Sequence, residues 1–157
     1  MRRIFVAVGF LCVTAAAAVA QHHVAVTPET MKWGPAPPAL PAGAQVAVLE
    51  GDPAKTGQPF AMQVKLPDGY RVQAHWHPTD EHLVVVKGAL LIGLGDKLDE
   101  KAFQSLSTGS YARMPAKTNH FAGAKGETTF VVYGVGPFEL NYVNPSDDPR
   151  KKGPTAQ

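Results

Sequence analysis

Four residues between positions 75 and 120 could bind a metal ion together. His75 and His77 are two apart in a segment of alternating character, so in a β-strand both imidazoles leave the same face. Pro78, Thr79 and Asp80 then supply turn residues, after which Glu81 opens a new apolar run and can reach back to the imidazoles. His120, which lies further along the chain, offers a fourth ligand.

Three imidazoles and one carboxylate suit a single divalent transition metal, namely Fe, Mn, Ni, Cu or Zn. Octahedral coordination would leave two positions free for a substrate, which is the arrangement that metal catalysis needs. Glu81 could also act catalytically as a base if it left the metal. The four residues taken together therefore favour a metal site over surface or core histidines.

The spacing of these residues resembles the first motif of the cupin family. That motif has a glycine, His-x-His, a glutamate and a second glycine, and it is matched by Gly69, His75, His77, Glu81 and Gly88. The resemblance extends over about residues 42–144. It implies the fold and a metal, but it says little about the substrate.

The second cupin motif is matched at three positions. Gly109, Pro115 and His120 agree with it, whereas Lys117 stands where a glycine is usual and Ala124 where an asparagine is usual. The turn before His120 and the strand after it are therefore expected to differ in detail from the family pattern, while every ligand position is kept.

The rest of the chain predicts an all-β, single-domain, cupin-type double-stranded β-helix, which is a jelly-roll barrel, with an extended N-terminal arm. From Gln45 onward the hydrophobic period is two, and Gly, Pro and Asp separate the apolar segments. Nine strands are predicted: Gln45–Leu49, Pro59–Leu66, Tyr70–His75, His82–Val86, Ala89–Leu94, Ser110–Met114, Asn119–Ala122, Thr128–Gly134 and Phe138–Val143. Lys87 and Gly88 are predicted to form a hairpin turn, and Asp96–Phe103 a loop with one turn of helix.

Four segments are expected along the chain of 157 residues. They are a signal peptide (1–20), an N-terminal arm (21–41), the barrel (42–145) and a C-terminal tail (146–157). Within the arm, Thr27 and Pro28 are typical of a helix start, so a short turn of helix up to Trp33 is expected. The proline-rich segment after Trp33 predicts an extended chain that lies over the barrel.

Residues 1–20 have the composition of an export signal. Arg2 and Arg3 precede an apolar stretch, and Ala18-Val19-Ala20 has the small residues that signal peptidase recognises. The apolar stretch is short for a stable membrane anchor. The mature protein is therefore expected to be periplasmic or secreted, and the residues leave open whether it is exported unfolded or folded.

Removal of residues 1–20 changes the charge balance. Of the 15 Lys and Arg, Arg2 and Arg3 are lost, which leaves 13 against 13 Asp and Glu. A neutral mature protein gives no electrostatic reason to bind nucleic acid or an acidic membrane. The one cysteine, Cys12, is also lost, so the mature chain has neither disulfides nor a cysteine nucleophile.

Other polar and aromatic residues could add to the site. Gln73 is expected on the face of His75 and His77, where it could bind the substrate, although a polar residue at the barrel mouth is an equal alternative. His82 and Trp76 are expected to face away from the site. Tyr111, Tyr133 and Tyr142 are expected in the core rather than in a cavity.

Three functions fit these residues. The first is a dioxygenase-like, metal-dependent enzyme that acts on a small molecule. The second is a non-redox, metal-assisted isomerase or lyase, which would need an additional base. The third is a non-catalytic periplasmic module that binds a metal or a small ligand. A homodimer is implied by the family resemblance.

Overall fold

The computed structural model describes residues 23–151, so the predicted signal peptide and the end of the predicted tail lie outside the described residues. Nine strands occur in the described part: β1 (Gly34–Pro35), β2 (Gln45–Gly51), β3 (Pro59–Leu66), β4 (Arg71–Trp76), β5 (Glu81–Leu94), β6 (Gln104–Ser107), β7 (Tyr111–Met114), β8 (His120–Val135) and β9 (Asn141–Tyr142). The domain boundaries at residues 20, 41 and 145 remain predictions.

Two long antiparallel strands, β5 and β8, run through the whole molecule. The first half of β5 pairs with β7 and its second half with β6. The second half of β8 pairs with β3, which continues to β2 and β1, whereas its first half pairs with β4, which continues to β9. Because the two halves of each long strand have different partners, the sheet curls around one core, and the predicted all-β jelly roll is confirmed.

The predicted hairpin at Lys87 and Gly88 is wrong, because β5 continues through both residues with shifts in its register against β8. Gly88 has a φ of +80°, and a Cβ there would lie 2.4 Å from the carbonyl oxygen of Glu127. The glycine is therefore needed for a close approach of two strands at a bulge, and not for a chain reversal.

Two strands that were predicted separately in the second half of the chain form one continuous strand in the structure. Residues 120–122 of the first prediction and all of the second, Thr128–Gly134, belong to the single strand β8, which begins directly after Asn119. Gly126, with a φ of +73°, interrupts the alternation without ending the strand. A local pattern break looks the same in the sequence whether the strand bends or stops.

The N-terminal arm lies on the barrel but contains no helix among its described residues. Pro28–Thr30 form a single turn, in which the Met31 amide donates a 3.0 Å hydrogen bond to the Thr27 carbonyl oxygen, but the predicted turn of helix does not extend to Trp33. Gly34 and Pro35 instead pair with β2 as strand β1. The Tyr142 hydroxyl donates a hydrogen bond of 2.8 Å to the carbonyl oxygen of Ala39, which ties the arm to β9.

The loop between the two motif regions matches its prediction. A 3₁₀ helix spans Glu100–Ala102, and the Asp99 side chain caps it by accepting from the Lys101 amide. Residues 23–151 contain no helix that is long and apolar enough to cross a membrane.

Candidate metal centre

Three strand ends place the four candidate ligands together. His75 lies near the end of β4 and is the direct cross-strand partner of His120, the first residue of β8. His77 follows directly after β4, and Glu81 is the first residue of β5. All four side chains are buried, although each carries a polar or ionisable group. A buried cluster of this kind needs internal partners or a bound ion.

The three imidazoles converge on one point. One ring nitrogen from each of His75, His77 and His120 lies within 4.8 Å of the other two, so the triad could hold a metal ion. The Glu81 Oε2 atom lies 3.3 Å from the Nε2 of His120 and 3.7 Å from the Nε2 of His77. The structure thus brings the four residues together as the spacing predicts.

Each imidazole is oriented by a hydrogen bond between its Nδ1 and a backbone carbonyl oxygen. His75 Nδ1 lies 2.7 Å from the carbonyl of Gln73, and His120 Nδ1 lies 3.0 Å from that of Thr118. His77 Nδ1 lies 2.7 Å from the carbonyl of Glu139. Because a carbonyl only accepts, each Nδ1 carries a proton, and each Nε2 is the ring nitrogen that would face a metal. On His77 this nitrogen has no hydrogen-bond partner among the described residues, whereas on His120 it is hydrogen-bonded to Glu81, so a metal would displace the proton of that bond.

The His77 Nε2 atom is the clearest sign of a missing partner. It is buried and has no hydrogen-bond partner within the part of the chain that the structure describes. Buried polar atoms are normally paired, and exceptions need an explanation. A divalent transition metal at the triad would supply that partner, so the residues fit the group.

The pKa values are consistent with ligands in the state that metal binding requires. Burial, followed by the nearby charges of His120 and His77, lowers the pKa of His75 to about 3. Burial also lowers the pKa of His77. Both imidazoles are therefore neutral at neutral pH, as metal ligands must be.

Glu81 and His120 form a coupled pair. Burial raises the pKa of Glu81, but the hydrogen bond from His120 and the neighbouring imidazoles outweigh it and bring this pKa down to about 2. For His120, burial lowers the pKa, but the hydrogen bond to Glu81 outweighs it and the net shift is upward. The Glu81 carboxylate is thus ionised and available to a cation.

A cavity of about 200 Å³ adjoins the four residues. Within residues 23–151, the lining consists of His75, His77, Glu81 and His120 together with 18 residues that are all Ala, Val, Leu, Ile, Met, Phe or Pro. The arm contributes Leu40 to this wall. The site is therefore a polar cluster on one side of an apolar chamber.

The remaining predicted side chains lie outside this chamber. Gln73 is not among the lining residues, because the register of β4 shifts between Val72 and His75 and Val72 lines the cavity instead. The contribution of Gln73 that the structure shows is its carbonyl, which orients His75. Trp76 does not line the cavity either.

The outer face of the sheet carries an aromatic cluster around His82. Its Nδ1 lies 2.8 Å from the Tyr111 hydroxyl, and its ring stacks on Tyr133 at 5.1 Å. His82 thus faces away from the site, as predicted. Tyr111 and Tyr133 are exposed, so their predicted core position is wrong, whereas Tyr142 is buried in the core.

Two residues of the site were missed at the sequence level. The Phe138 ring stacks on His77, with centroids 4.2 Å apart and planes 14° apart, and it also lines the cavity. Glu139 acts through its carbonyl oxygen on the same histidine. A backbone carbonyl leaves no signal in residue types, and an aromatic residue in a predicted strand has many explanations.

Comparison with solved structures shows the same fold in distant proteins. The acetylacetone dioxygenase from Acinetobacter johnsonii matches with a TM-score of 0.61 and 16% identity, over 88% of this chain and 88% of that chain. An RmlC-like cupin from Shewanella frigidimarina matches with a TM-score of 0.55 and 14% identity, over 72% and 89%. KdgF from a Halomonas species matches with a TM-score of 0.52 and 21% identity, over 70% and 91%. At these identities the likeness shows the fold.

A family model covers most of the sequence. No curated protein matches the chain. The model described as "Domain of unknown function (DUF4437)" matches residues 16–141. The match covers more than half of the sequence, so the chain belongs to the DUF4437 family, and the solved structures show that its fold is that of a cupin.

Proposed function

We propose that the protein is a metal-dependent enzyme that acts on a small molecule. One divalent transition metal, which is Fe, Mn, Ni, Cu or Zn, is held by His75, His77, Glu81 and His120. The observation that carries this proposal is the convergence of three buried imidazoles whose Nδ1 atoms face carbonyl oxygens, which leaves the three Nε2 atoms as the ring nitrogens that would bind a metal. A metal bound there supplies Lewis acidity and, if it is redox-active, electrons for oxidation by O₂.

The protein residues orient the ligands and exclude water. Phe138 and the apolar wall keep water from the His77 side of the centre. Glu81 is the one carboxylate that lines the cavity among the described residues, and its Oε2 atom, between His77 and His120, is the proposed site of proton transfer. Proton transfer at this atom would require the carboxylate to leave the metal.

Among the enzymatic options we favour a dioxygenase-like oxidation. Among the described residues, Glu81 and the three histidines are the only titratable groups that line the cavity. Isomerisation or lyase chemistry normally uses a further acid or base, and these residues do not provide one outside the ligand set. The named activity of the Acinetobacter johnsonii relative is not transferred, since 16% identity shows the fold alone.

A non-catalytic binding module is the second candidate. The same lack of an additional acid or base favours it, because storage or transport of a metal or ligand needs no proton transfer. A measurement of catalytic turnover distinguishes the metal-dependent enzyme from the binding module.

The first experiment counts metal per chain in protein purified from its native compartment without added metal or chelator. One ion per chain supports the proposal. A stable protein that neither contains nor takes up any of the five metals would contradict it.

The second experiment compares protein loaded with Fe²⁺ and with Zn²⁺ in an oxygen electrode and against a panel of small oxygenated compounds. Oxygen uptake with iron alone supports the dioxygenase-like function. Turnover that persists with zinc would favour an isomerase or lyase, and binding without turnover in both forms would favour the binding module.

We also propose that the protein acts in the periplasm or outside the cell. The support is the pattern of Arg2, Arg3, the apolar stretch and Ala18-Val19-Ala20. Cell fractionation with mass spectrometry of the N-terminus checks this, and full-length protein with an intact Met1 confined to the cytoplasmic fraction would contradict it. The homodimer stays a prediction, which light scattering of the purified protein tests.

A further inference from the structure

The wall of the cavity is unusually uniform in its chemistry. Apart from the four proposed ligands, no Lys, Arg, Asp, Asn, Gln, Ser, Thr or Tyr from residues 23–151 lines it. Leu83, Leu90 and Val132 are among the lining residues and are at most 1% exposed. These side chains are fixed parts of the core, and none of them carries a polar group that could contact a ligand.

Such a wall selects against most polar ligands. A carboxylate, phosphate or sulfonate on the body of a ligand would lose its water and find no cation, and a row of hydroxyl groups would find no donors or acceptors. The polar partners lie at one end only, where the metal and Glu81 are. A ligand can therefore place one polar group at that end, and the rest of it must be apolar.

The cavity mouth is apolar as well. Val48 on β2 is 50% exposed and lines the cavity, so it stands where a ligand meets solvent. Leu40 of the arm lines it too. A ligand thus meets no charged side chain from the cavity wall on its way in.

We infer that the ligand of this site is a small molecule with an uncharged, apolar body and a single oxygen-donor head that faces the metal. The inference rests on the proposed function, because the head needs the metal. It disfavours sugars, uronates, nucleotides and other ligands with charged or polyhydroxylated bodies. A volume of about 200 Å³ accommodates a body of the size of a substituted benzene ring or a short branched chain.

The test uses three probes that share one metal-binding head. Benzohydroxamate, 4-carboxybenzohydroxamate and gluconohydroxamate are titrated by calorimetry into the mature protein loaded with Ni²⁺, whose ion content is measured beforehand. Benzohydroxamate is expected to bind at least about tenfold more tightly than either of the others, because only its body suits the wall. Equal affinities, or tighter binding of the charged or polyhydroxylated probe, would overturn the inference.

A pair of matched variants checks that the cavity wall is responsible. Val48→Arg places a cation at the mouth and is expected to reduce the preference for benzohydroxamate over 4-carboxybenzohydroxamate by about fivefold. Val86→Arg is the control, since Val86 is 46% exposed on β5 and does not line the cavity. An equal effect of both variants would mean that the probes bind elsewhere, which also overturns the inference.

The outcome separates this inference from the proposed function. If the protein takes up no metal, the proposed function fails, and the wall is then tested in the metal-free protein by NMR titration with toluene and benzoate. Preferential binding of toluene at cavity methyl groups would support the apolar ligand class, and preferential binding of benzoate would overturn it. If metal is present and the hydroxamate order is reversed, the ligand class alone fails.

Discussion

At the scale of single residues, His77 is held by contacts with Phe138, Glu139 and Glu81, of which only the one with Glu81 was expected from the sequence. Its Nδ1 hydrogen-bonds the carbonyl of Glu139, its ring stacks on Phe138, and its Nε2 faces Glu81. These contacts fix the ring before any ion arrives. Fixed ligands bind a metal more tightly because less freedom is lost on binding.

His77→Ala is expected to lower metal content and melting temperature together, since a bound ligand stabilises the folded state. The loss of metal affinity should exceed the roughly 10- to 100-fold typical of removing a partner that orients a ligand. Elemental analysis and calorimetry measure both effects. His82→Ala, on the outer face of β5, is the control and should retain its metal. A His77→Ala protein with full metal and an unchanged melting temperature would exclude His77 as a ligand.

Lys117 shows how a turn keeps its shape without the usual glycine. Its φ is +62°, and it is the one residue other than glycine with a positive φ in the described chain. Its amide donates a 2.8 Å hydrogen bond to the carbonyl oxygen of His77. The turn before His120 therefore keeps a left-handed residue at this position, at the expense of backbone strain.

Lys117→Gly is expected to raise the free energy of unfolding by about 1 kcal/mol, because glycine removes this strain at a small entropic cost. Urea denaturation of the metal-free protein measures the change. Lys97→Gly, at an exposed loop position without a positive φ, is the control and should not stabilise the protein. A destabilised Lys117→Gly variant would show that the lysine side chain contributes more than the strain removes.

At the scale of elements, the short strand β9 connects the arm to the candidate metal site. Tyr142 pairs with His75 across the sheet, and its ring centroid lies 6.2 Å from that of His75. Its hydroxyl holds the arm at Ala39. Burial, and then the charge of Asp148, raises the pKa of Tyr142 to about 12.

Tyr142→Phe is expected to destabilise the protein by about 1 kcal/mol at neutral pH through loss of this hydrogen bond. The native protein should also lose stability between about pH 10 and pH 12, because the unfolded tyrosine releases its proton near 10 and the folded one near 12. In Tyr142→Phe the loss of stability above pH 10 should be smaller. Part of the remaining loss is expected from Tyr70, whose pKa is also raised by burial.

Thermal unfolding at pH 7, 10 and 11.5 measures both effects. The control is Tyr133→Phe, which removes a hydroxyl from an exposed tyrosine. Faster proteolysis of the arm in Tyr142→Phe alone is the further expectation. Equal behaviour of the two variants would show that the hydroxyl of Tyr142 does not hold the arm.

At the scale of the whole molecule, the pairing of β5 with β8 joins the two halves of the barrel. Gly93 pairs with Phe121 in this ladder, and Phe121 is completely buried. A Cβ at Gly93 would lie 2.1 Å from the Phe121 ring. Glycine here provides space for an aromatic ring, and its φ is not positive.

Gly93→Ala is expected to destabilise the protein by about 1–3 kcal/mol through overpacking of the core. Chemical denaturation measures it. Gly34→Ala is the control, since a Cβ at Gly34 would meet no atom within 4 Å and its φ is also not positive. A Gly93→Ala variant as stable as the native protein would mean that the Phe121 ring can shift without loss of packing.

The sequence alone determined the candidate ligand set and most strand positions. His-x-His followed by a glutamate encodes convergence because alternate residues of a strand share a face, and the period of two appears directly in the residue types. Glu81 and His120 could be predicted because their spacing agrees with a family pattern. The four side chains do lie together in the structure.

Only the tertiary structure decided the rest. Whether Gly88 reverses or bends the chain depends on β8 beside it, because both outcomes need the same backbone freedom. The orientation of His77 by Glu139, 62 residues away, depends on a backbone atom that every residue possesses. The apolar cavity is likewise formed by side chains from distant strands, and each of them looks like an ordinary core residue in the sequence. Spacing along a chain records which residues share a face, but which surfaces meet is set by the packing of the whole molecule.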